Sequence, residues 1–309
     1  MPLLNTVGSA SVRGHGRGIA TPEPQPPGHF GDEYSGFNNT SPIQFNSPTL
    51  DSTYSPGSNI PLMMGNFIDH SSGKFFISYP ALGTYDMESA SVDAAYDDDA
   101  SFYREDGSGA TYFNGTNGMN TAGWNNGRGC TIAYLSDAAR TPVWVTGTTG
   151  SSSQGPKVFW FAAMDGTYLG RLDAASATTT TDDTVLNEGL AWDGFRLLAM
   201  FNGDTKVYRY TLPATLSTSS TIPTVALHST VTTGSSVNYG MVWTGDGLLV
   251  RTSTSAMAYH RFLPTETSST VVTTTFPGMI FSGTAIDYKN KLLVVGGWYS
   301  TGIKVYTPS

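Results

Sequence analysis

The densest group of candidate metal ligands in the sequence is acidic, with Asp97, Asp98 and Asp99 following closely on Asp93. A calcium site needs oxygen ligands from alternating loop positions that converge on one ion. Contiguous carboxylates point in different directions, so we predict a solvated loop here, with cation binding as the alternative. The five histidines are scattered and Cys130 is the single cysteine, which argues against a metal centre and against an intramolecular disulfide. We expect no metal ion and no cofactor.

A second acidic pattern recurs along the chain. Aspartates follow short apolar segments at four places, namely Asp69, Asp137, Asp193 and Asp287. A glycosidase needs two carboxylates about 5–10 Å apart in a cleft. Aspartate also favours tight turns, because its side chain accepts hydrogen bonds from its own backbone. The regular recurrence favours the turn, and no nucleophile elbow, phosphate-binding loop or dinucleotide fingerprint is present. We therefore expect a protein that is not an enzyme, with a glycan-cleaving enzyme as the alternative.

Aromatic side chains offer a different chemistry, because an exposed ring can stack on a sugar ring. The candidates for such a glycan-binding surface are Trp144, Trp160, Trp298 and Tyr299. Trp192 and Trp243 recur at one position of a repeat and are predicted to lie in the core instead.

The repeat is clearest in three units, residues 189–213, 240–264 and 283–308. Each unit opens with glycine, continues as an apolar segment with a polar turn and a second apolar segment, and then alternates apolar and polar residues. Less regular copies begin at Gly65 and Gly129. Four short strands in about 45–50 residues are typical of one propeller blade. We predict an all-β fold, a β-propeller of about five four-stranded blades over residues 60–309, with six blades as the alternative. A strand from residues 42–50 is predicted to close the ring.

Composition agrees with an all-β chain. Charged residues make up only 13% of the sequence, while Gly counts 35, and a helical bundle needs more charge than that on its solvated faces. The net charge of -8 argues against a nucleic-acid partner. No apolar run reaches the roughly 18 residues that indicate a membrane span.

Residues 1–59 differ from the rest and are predicted to form an extended Gly/Pro-rich anchoring arm, with a disordered tail or linker as the alternative. Prolines at alternate positions favour polyproline II, and the interspersed glycines cannot build a core. Basic and aromatic side chains in the arm are predicted to bind along a partner subunit. They are Arg13, His15, Arg17, Phe30, Tyr34 and Phe37.

The opening stretch LNTVGSASVRGHGRG, residues 4–18, resembles the short N-terminal segments of tailed-bacteriophage tail and fibre proteins. The repeats are similar to propeller blades with the pattern G-h-a-W-D-G-x-x-L-h. The resemblance implies a non-enzymatic structural protein of the virion (tail, fibre or baseplate), assembled in the host cytoplasm. It implies other virion structural proteins as partners, a homo-oligomer within the assembly, and host-surface protein or glycan as a binding target. A bacterial extracellular adhesin is the alternative, disfavoured because residues 1–12 lack the pattern of a secretory signal.

Overall fold

The computed structural model describes residues 43–54, 68–69, 74–77, 83–86, 110–112, 130–147, 158–163, 167–174, 187–201, 204–234, 240–253, 255–262, 269–278, 284–287, 292–296 and 303–308. These residues contain strands and no helix, so the predicted all-β class is confirmed. The strands form five four-stranded antiparallel sheets in this part of the chain.

Four of the sheets follow the chain order, because each strand pairs antiparallel with the next strand along the chain. The first sheet contains β2 (Ile68–Asp69), β3 (Lys74–Ile77), β4 (Gly83–Asp86) and β5 (Ala110–Tyr112). The second contains β6 (Cys130–Tyr134), β7 (Pro142–Gly147), β8 (Val158–Ala162) and β9 (Tyr168–Asp173). The third contains β10 (Asn187–Trp192), β11 (Leu197–Phe201), β12 (Lys206–Thr211) and β13 (Ala226–Thr232). The fourth contains β14 (Met241–Trp243), β15 (Gly247–Arg251), β16 (Ala256–Arg261) and β17 (Thr270–Thr275).

The fifth sheet joins the two ends of the described chain. It contains β18 (Thr284–Asp287), β19 (Leu292–Gly296), β20 (Ile303–Thr307) and β1 (Thr49–Tyr54). β1 pairs antiparallel with β20, from Thr49 opposite Thr307 to Tyr54 opposite Ile303. The predicted closing strand at residues 42–50 overlaps β1 only at its last two residues, so the closing strand lies further along the chain than predicted.

Residues 43–54, which were predicted to belong to the arm, are part of the sheet assembly. Ile43 and Phe45 are buried, at 6% and 1% exposure, and the Ile43 N–H donates to the Thr244 carbonyl at 2.8 Å. Burial of two large apolar side chains stabilises this segment against the sheets. The boundary after residue 59 is therefore corrected, because the twelve residues 43–54 of the expected arm pack with the sheets.

The first strands of successive sheets lie side by side. β6 contacts β10, β10 contacts β14, β14 contacts β18, and β18 contacts β2 of the first sheet. Each first strand begins a four-stranded sheet, which is a meander in four of the five sheets. Inner strands that contact one another in series, with meanders leading away from them, make the arrangement propeller-like.

The core lies between neighbouring sheets. All five residues of β11 are buried, and so are all five of β15. Successive side chains of a strand point to opposite faces, so both faces of these strands are covered. Trp192 and Trp243 are 3% and 1% exposed, which confirms their prediction as core residues.

Candidate functional site

Two of the tryptophans predicted to bind glycan are core residues. Trp144 is 1% exposed and Trp160 is 0% exposed. The Trp160 ring lies against Tyr168, with centroids 5.6 Å apart, and the Arg171 guanidinium sits 5.3 Å from its centre. This corrects the prediction for both residues, because a covered ring cannot stack on a sugar.

Trp298 and Tyr299 lie outside the described residues. So do the arm residues Arg13, His15, Arg17, Phe30, Tyr34 and Phe37 and the acidic stretch at Asp93 and Asp97–Asp99.

Polar groups converge where the first turns of the second and third sheets meet. We call this the turn-edge cluster, defined by Asp137, Arg140, Trp192, Asp193 and Arg196. The first turn of the second sheet connects β6 to β7, and that of the third connects β10 to β11. The cluster is therefore positioned by two neighbouring hairpins.

Asp137 organises the first of these hairpins. Its Oδ1 accepts the Thr141 N–H at 2.8 Å, and its Oδ2 accepts the Thr141 hydroxyl at 2.5 Å. The Thr141 hydroxyl bond, with the backbone bonds and the charge of Arg140, lowers the pKa of the Asp137 carboxyl below its usual range. Asp137 is thus an ionised turn residue, as predicted for it.

Asp193 organises the second hairpin from a buried position, at 2% exposure. Its Oδ1 accepts the Phe195 N–H at 2.8 Å and the Arg196 N–H at 2.6 Å. Burial raises the pKa of this carboxyl, although the two backbone bonds and the charges of Arg209 and Arg196 oppose the rise. The predicted turn role is confirmed here too. A carboxylate this deeply buried does not reach a substrate.

Arg140 links the two hairpins. Its Nη2 donates to the Gly194 carbonyl at 3.4 Å, and its guanidinium lies 6.0 Å from the centre of the Trp192 ring. Arg140 also has a φ of 52°, a left-handed conformation that is uncommon for a residue with a side chain. The Ser136 N–H donates to the Pro213 carbonyl at 3.1 Å alongside it. Together these contacts hold the second and third sheets together at the cluster.

A second positive centre lies behind the cluster. Arg209, on β12, is 1% exposed and its guanidinium lies 5.0 Å from the centre of the Phe262 ring in the fourth sheet. Burial, with the nearby charges of Arg196 and Arg209, lowers the pKa of His228 on β13. His228 is therefore neutral at pH 7, and the positive charge at this edge is carried by arginine.

The fourth sheet builds the same hairpin with different groups. The Thr244 N–H donates to the Gly247 carbonyl at 2.9 Å, and the Thr244 hydroxyl donates to the same oxygen at 3.1 Å. The Tyr259 hydroxyl donates to Asp246, and the Arg261 Nε lies 3.8 Å from the Asp246 Oδ2. Burial raises the pKa of the Tyr259 hydroxyl.

The charged groups of the turn edge differ in how far they are exposed. The two carboxylates of the cluster are both committed to turns, and one of them is buried. Arg140, Arg196 and Arg261 are partly exposed. Within the described residues no three His, Cys, Asp or Glu side chains come together as metal ligands. Nor does that part of the chain contain a helix with the length and hydropathy of a membrane span.

Sequence reasoning missed three buried polar residues, Arg209, Arg251 and His260, which are all at most 1% exposed. His260 Nδ1 lies 3.3 Å from the Ser269 hydroxyl, and that hydroxyl donates to the Thr232 carbonyl of the third sheet at 3.3 Å. The alternation in β12 and β16 places Arg209 and His260 on strands with apolar neighbours. Because an alternating strand usually has one solvated face, the sequence pattern carried no signal that these side chains face another sheet.

No family model matches the chain, and no curated protein matches it. Among solved structures it is similar to the glutaminyl cyclase of Myxococcus xanthus, with 11% identity and a TM-score of 0.49 over 84% of this chain and 95% of that one. It is similar to the Cps50 (Swd1) β-propeller domain of Myceliophteria thermophila, with 15% identity and a TM-score of 0.35 over 58% and 50% of the two chains. A chain of a mitotic checkpoint complex gives 9% identity and a TM-score of 0.35 over 84% and 94%. At these identities and TM-scores, none of the three bears on the activity or partners of this chain.

Proposed function

We propose that the chain is a non-enzymatic structural protein of a tailed-bacteriophage virion, in the tail, fibre or baseplate. In this proposal the five sheets close one five-bladed ring, and the segment before residue 43 binds a neighbouring virion protein. The virion is assembled in the host cytoplasm and contains several copies of the chain. The ring presents its loops to a host-surface protein or glycan.

One observation carries the anchoring part of the proposal, namely the integration of residues 43–54 into the sheets. β1 pairs with β20 along its whole length, and Ile43 bonds to the fourth sheet, so the chain enters the body through two sheets. A pull on the preceding segment would therefore be resisted by a paired strand and by buried side chains. Such an attachment suits a segment that carries load between subunits.

The basic and aromatic residues of that segment are the proposed contacts with the neighbouring subunit. Arginine forks bind carboxylates and backbone carbonyls, and aromatic rings gain stability when a partner buries them. The proposed contacts are Arg13, His15, Arg17, Phe30, Tyr34 and Phe37. Trp298 and Tyr299 remain the proposed glycan contacts.

Two truncations test the proposal. Deleting residues 1–40 removes the segment but keeps Ile43, Phe45 and β1, so we expect a folded protein that no longer joins the particle. Deleting residues 1–54 also removes Ile43, Phe45 and β1, so we expect a clearly lower melting temperature, because their burial is lost and β20 keeps only β19 as a partner. Particle incorporation is measured by gradient sedimentation with mass spectrometry, and folding by thermal denaturation.

Normal incorporation of the 1–40 deletion would overturn the anchoring role. An unchanged melting temperature for the 1–54 deletion would overturn ring closure by β1.

A further inference from the structure

The outer strand of each sheet presents an edge of unpaired backbone groups, which can pair with another chain. Proteins protect such edges by covering them, by bulges that twist them away, and by charged residues. The described outer strands differ in how far they are protected, and β17 has none of these features.

The edge of β9 is covered by another part of the same chain. The Asp173 N–H donates to the Pro223 carbonyl at 2.8 Å, and the Val225 N–H donates to the Asp173 carbonyl at 2.9 Å. Further along, a Cβ on Gly170 would lie 2.9 Å from the carbonyl carbon of Ser217, so the two backbones are in close contact. No further strand can be added at these positions.

Irregular pairing protects β13 and β1. The ladder of β12 with β13 shifts register between Arg209 and Tyr210. The ladder of β1 with β20 shifts between Leu50 and Ser52. β1 also carries a charge on its exposed side, Asp51. A bulge twists the strand locally, and a charge resists burial against a new partner.

β17 has none of these protections. All six of its residues pair with β16 in unbroken register, and this ladder is its only backbone pairing within the described residues. Val271 and Val272 are 43% and 37% exposed. The sequence has no charged residue between Glu266 and Asp287. The strand is regular, uncharged and rich in β-branched residues, which favours pairing with a further strand.

We propose that the edge of β17 is an interaction surface for a second copy of this chain. The two β17 strands pair antiparallel about a two-fold axis through Val272 and form one continuous sheet across both copies. Such a contact is isologous, so each copy supplies the same surface. Val272 then lies directly opposite Val272 of the second copy, and Val271 lies opposite Thr273 of the second copy. β-Branched pairs of this kind stabilise a sheet.

The lack of charge on β17 favours a second copy as the occupant. The chain has a net charge of -8, so two copies repel one another unless they meet at an uncharged surface. β17 and its flanking sequence form such a surface, and self-pairing brings no like charges together. The proposal does not depend on the virion function.

The test compares two lysine substitutions in the full-length chain by sedimentation over a concentration series. Val272→Lys places two ammonium groups opposite each other at the proposed axis. We therefore expect the dissociation constant of the dimer to rise about 100-fold or more. Leu227→Lys is the matched control, since Leu227 is 42% exposed on the protected strand β13. It should leave the dimer unchanged. Near-UV circular dichroism checks that both variants are folded.

A cysteine variant keeps the test independent of any loss of folding. In a Cys130→Ser background, Val272→Cys should form a covalent dimer under mild oxidation, because residues opposite each other in a ladder are close enough for a disulfide. Leu227→Cys should not form one. A specific dimer should have a dissociation constant below about 100 µM. A wild-type chain that stays monomeric up to that concentration overturns the proposal. So does a dimer that Val272→Lys leaves intact.

Discussion

The third and fourth sheets share one framework and differ in their polar chemistry. In both, the second strand is buried throughout, and the third strand is buried at its four central residues. A buried tryptophan ends the first strand of each, Trp192 and Trp243. The turns that follow use a buried carboxylate in the third sheet and a threonine hydroxyl in the fourth. The framework thus depends on apolar residues, whereas each sheet satisfies its polar groups in its own way.

The third strands show the same contrast. Tyr210 pairs with Leu197, and His260 pairs with Leu248 at the equivalent place in the fourth sheet. Both side chains are fully buried, and each has one polar atom without a hydrogen bond. This atom is the hydroxyl oxygen in Tyr210 and Nε2 in His260. Two different polar aromatic residues therefore occupy equivalent buried positions in the two sheets. Burial raises the pKa of Tyr210 and lowers that of His260.

The largest effect is expected where the two sheets differ in backbone packing. At the start of β15, a Cβ on Gly247 would meet the His260 carbonyl oxygen and lie 2.9 Å from the Arg261 Cα. Both belong to the backbone of β16, which cannot move without breaking the ladder. Gly247→Ala should therefore lower the free energy of unfolding by about 3 kcal/mol or more, measured by chemical denaturation.

The matched control is Gly194→Ala in the third sheet. Gly194 has a φ of 94°, but no atom lies within 4 Å of a Cβ placed there. Only backbone strain remains, which costs about 1–2 kcal/mol. Equal losses in the two variants would contradict the packing difference between the sheets.

The next effect is the part of the pH dependence that His260 contributes in the fourth sheet. Burial lowers the pKa of His260 from 6.5 to about 4. Between these values the unfolded chain binds a proton that the folded chain does not, so the free energy of unfolding falls as pH falls from 6.5 to 4. The full loss would be about 3 kcal/mol. His260→Phe should remove this part of the pH dependence, measured by denaturation at a series of pH values.

Tyr210→Phe is the control for that series. Burial raises the pKa of the Tyr210 hydroxyl above its usual value of 10.0, so this group stays protonated throughout the acid range. The variant should keep the wild-type slope against pH. If His260→Phe also keeps that slope, His260 is not the titrating group.

The sequence predicted the parts of the fold that depend on local pattern. These signals all act within one hairpin. They are the alternation within strands, the two adjacent leucines that begin at Leu197 and at Leu248, and turn residues such as Asp193. The meanders and the core positions of Trp192 and Trp243 followed from them. Closure was located less well, because Thr49–Tyr54 has a mixed polar pattern and its pairing with β20 is set by residues far away in the chain.

The candidate site was harder to predict, because burial depends on the neighbouring sheet. Trp144 and Trp160 look like any exposed aromatic until the adjacent sheets cover both faces of their strands. Arg209 looks like a solvated residue of an alternating strand until Phe262 of the fourth sheet packs on it. Arg140 was missed for the same reason, since its partners Trp192 and Gly194 lie in another hairpin.

The smallest effect concerns the two ways of closing the first turn. Asp193→Ala leaves the N–H groups of Phe195 and Arg196 without their acceptor at a partly buried turn, and this should cost about 2 kcal/mol. Asp193→Asn keeps an oxygen at Oδ1 and should cost about 1 kcal/mol or less.

Thr244→Ala provides the comparison in the fourth sheet. It removes the hydroxyl bonds to the Gly247 carbonyl and to the Tyr259 hydroxyl, but that carbonyl still accepts the Thr244 N–H and Tyr259 still donates to Asp246. The loss should therefore be about 1 kcal/mol, below that of Asp193→Ala, when both are measured by chemical denaturation. The order follows from what each change leaves behind, since two donors lose their acceptor in the third sheet and one acceptor keeps a backbone donor in the fourth. A Thr244→Ala loss as large as that of Asp193→Ala would mean that the hydroxyl, and not the backbone pair, holds the fourth-sheet turn.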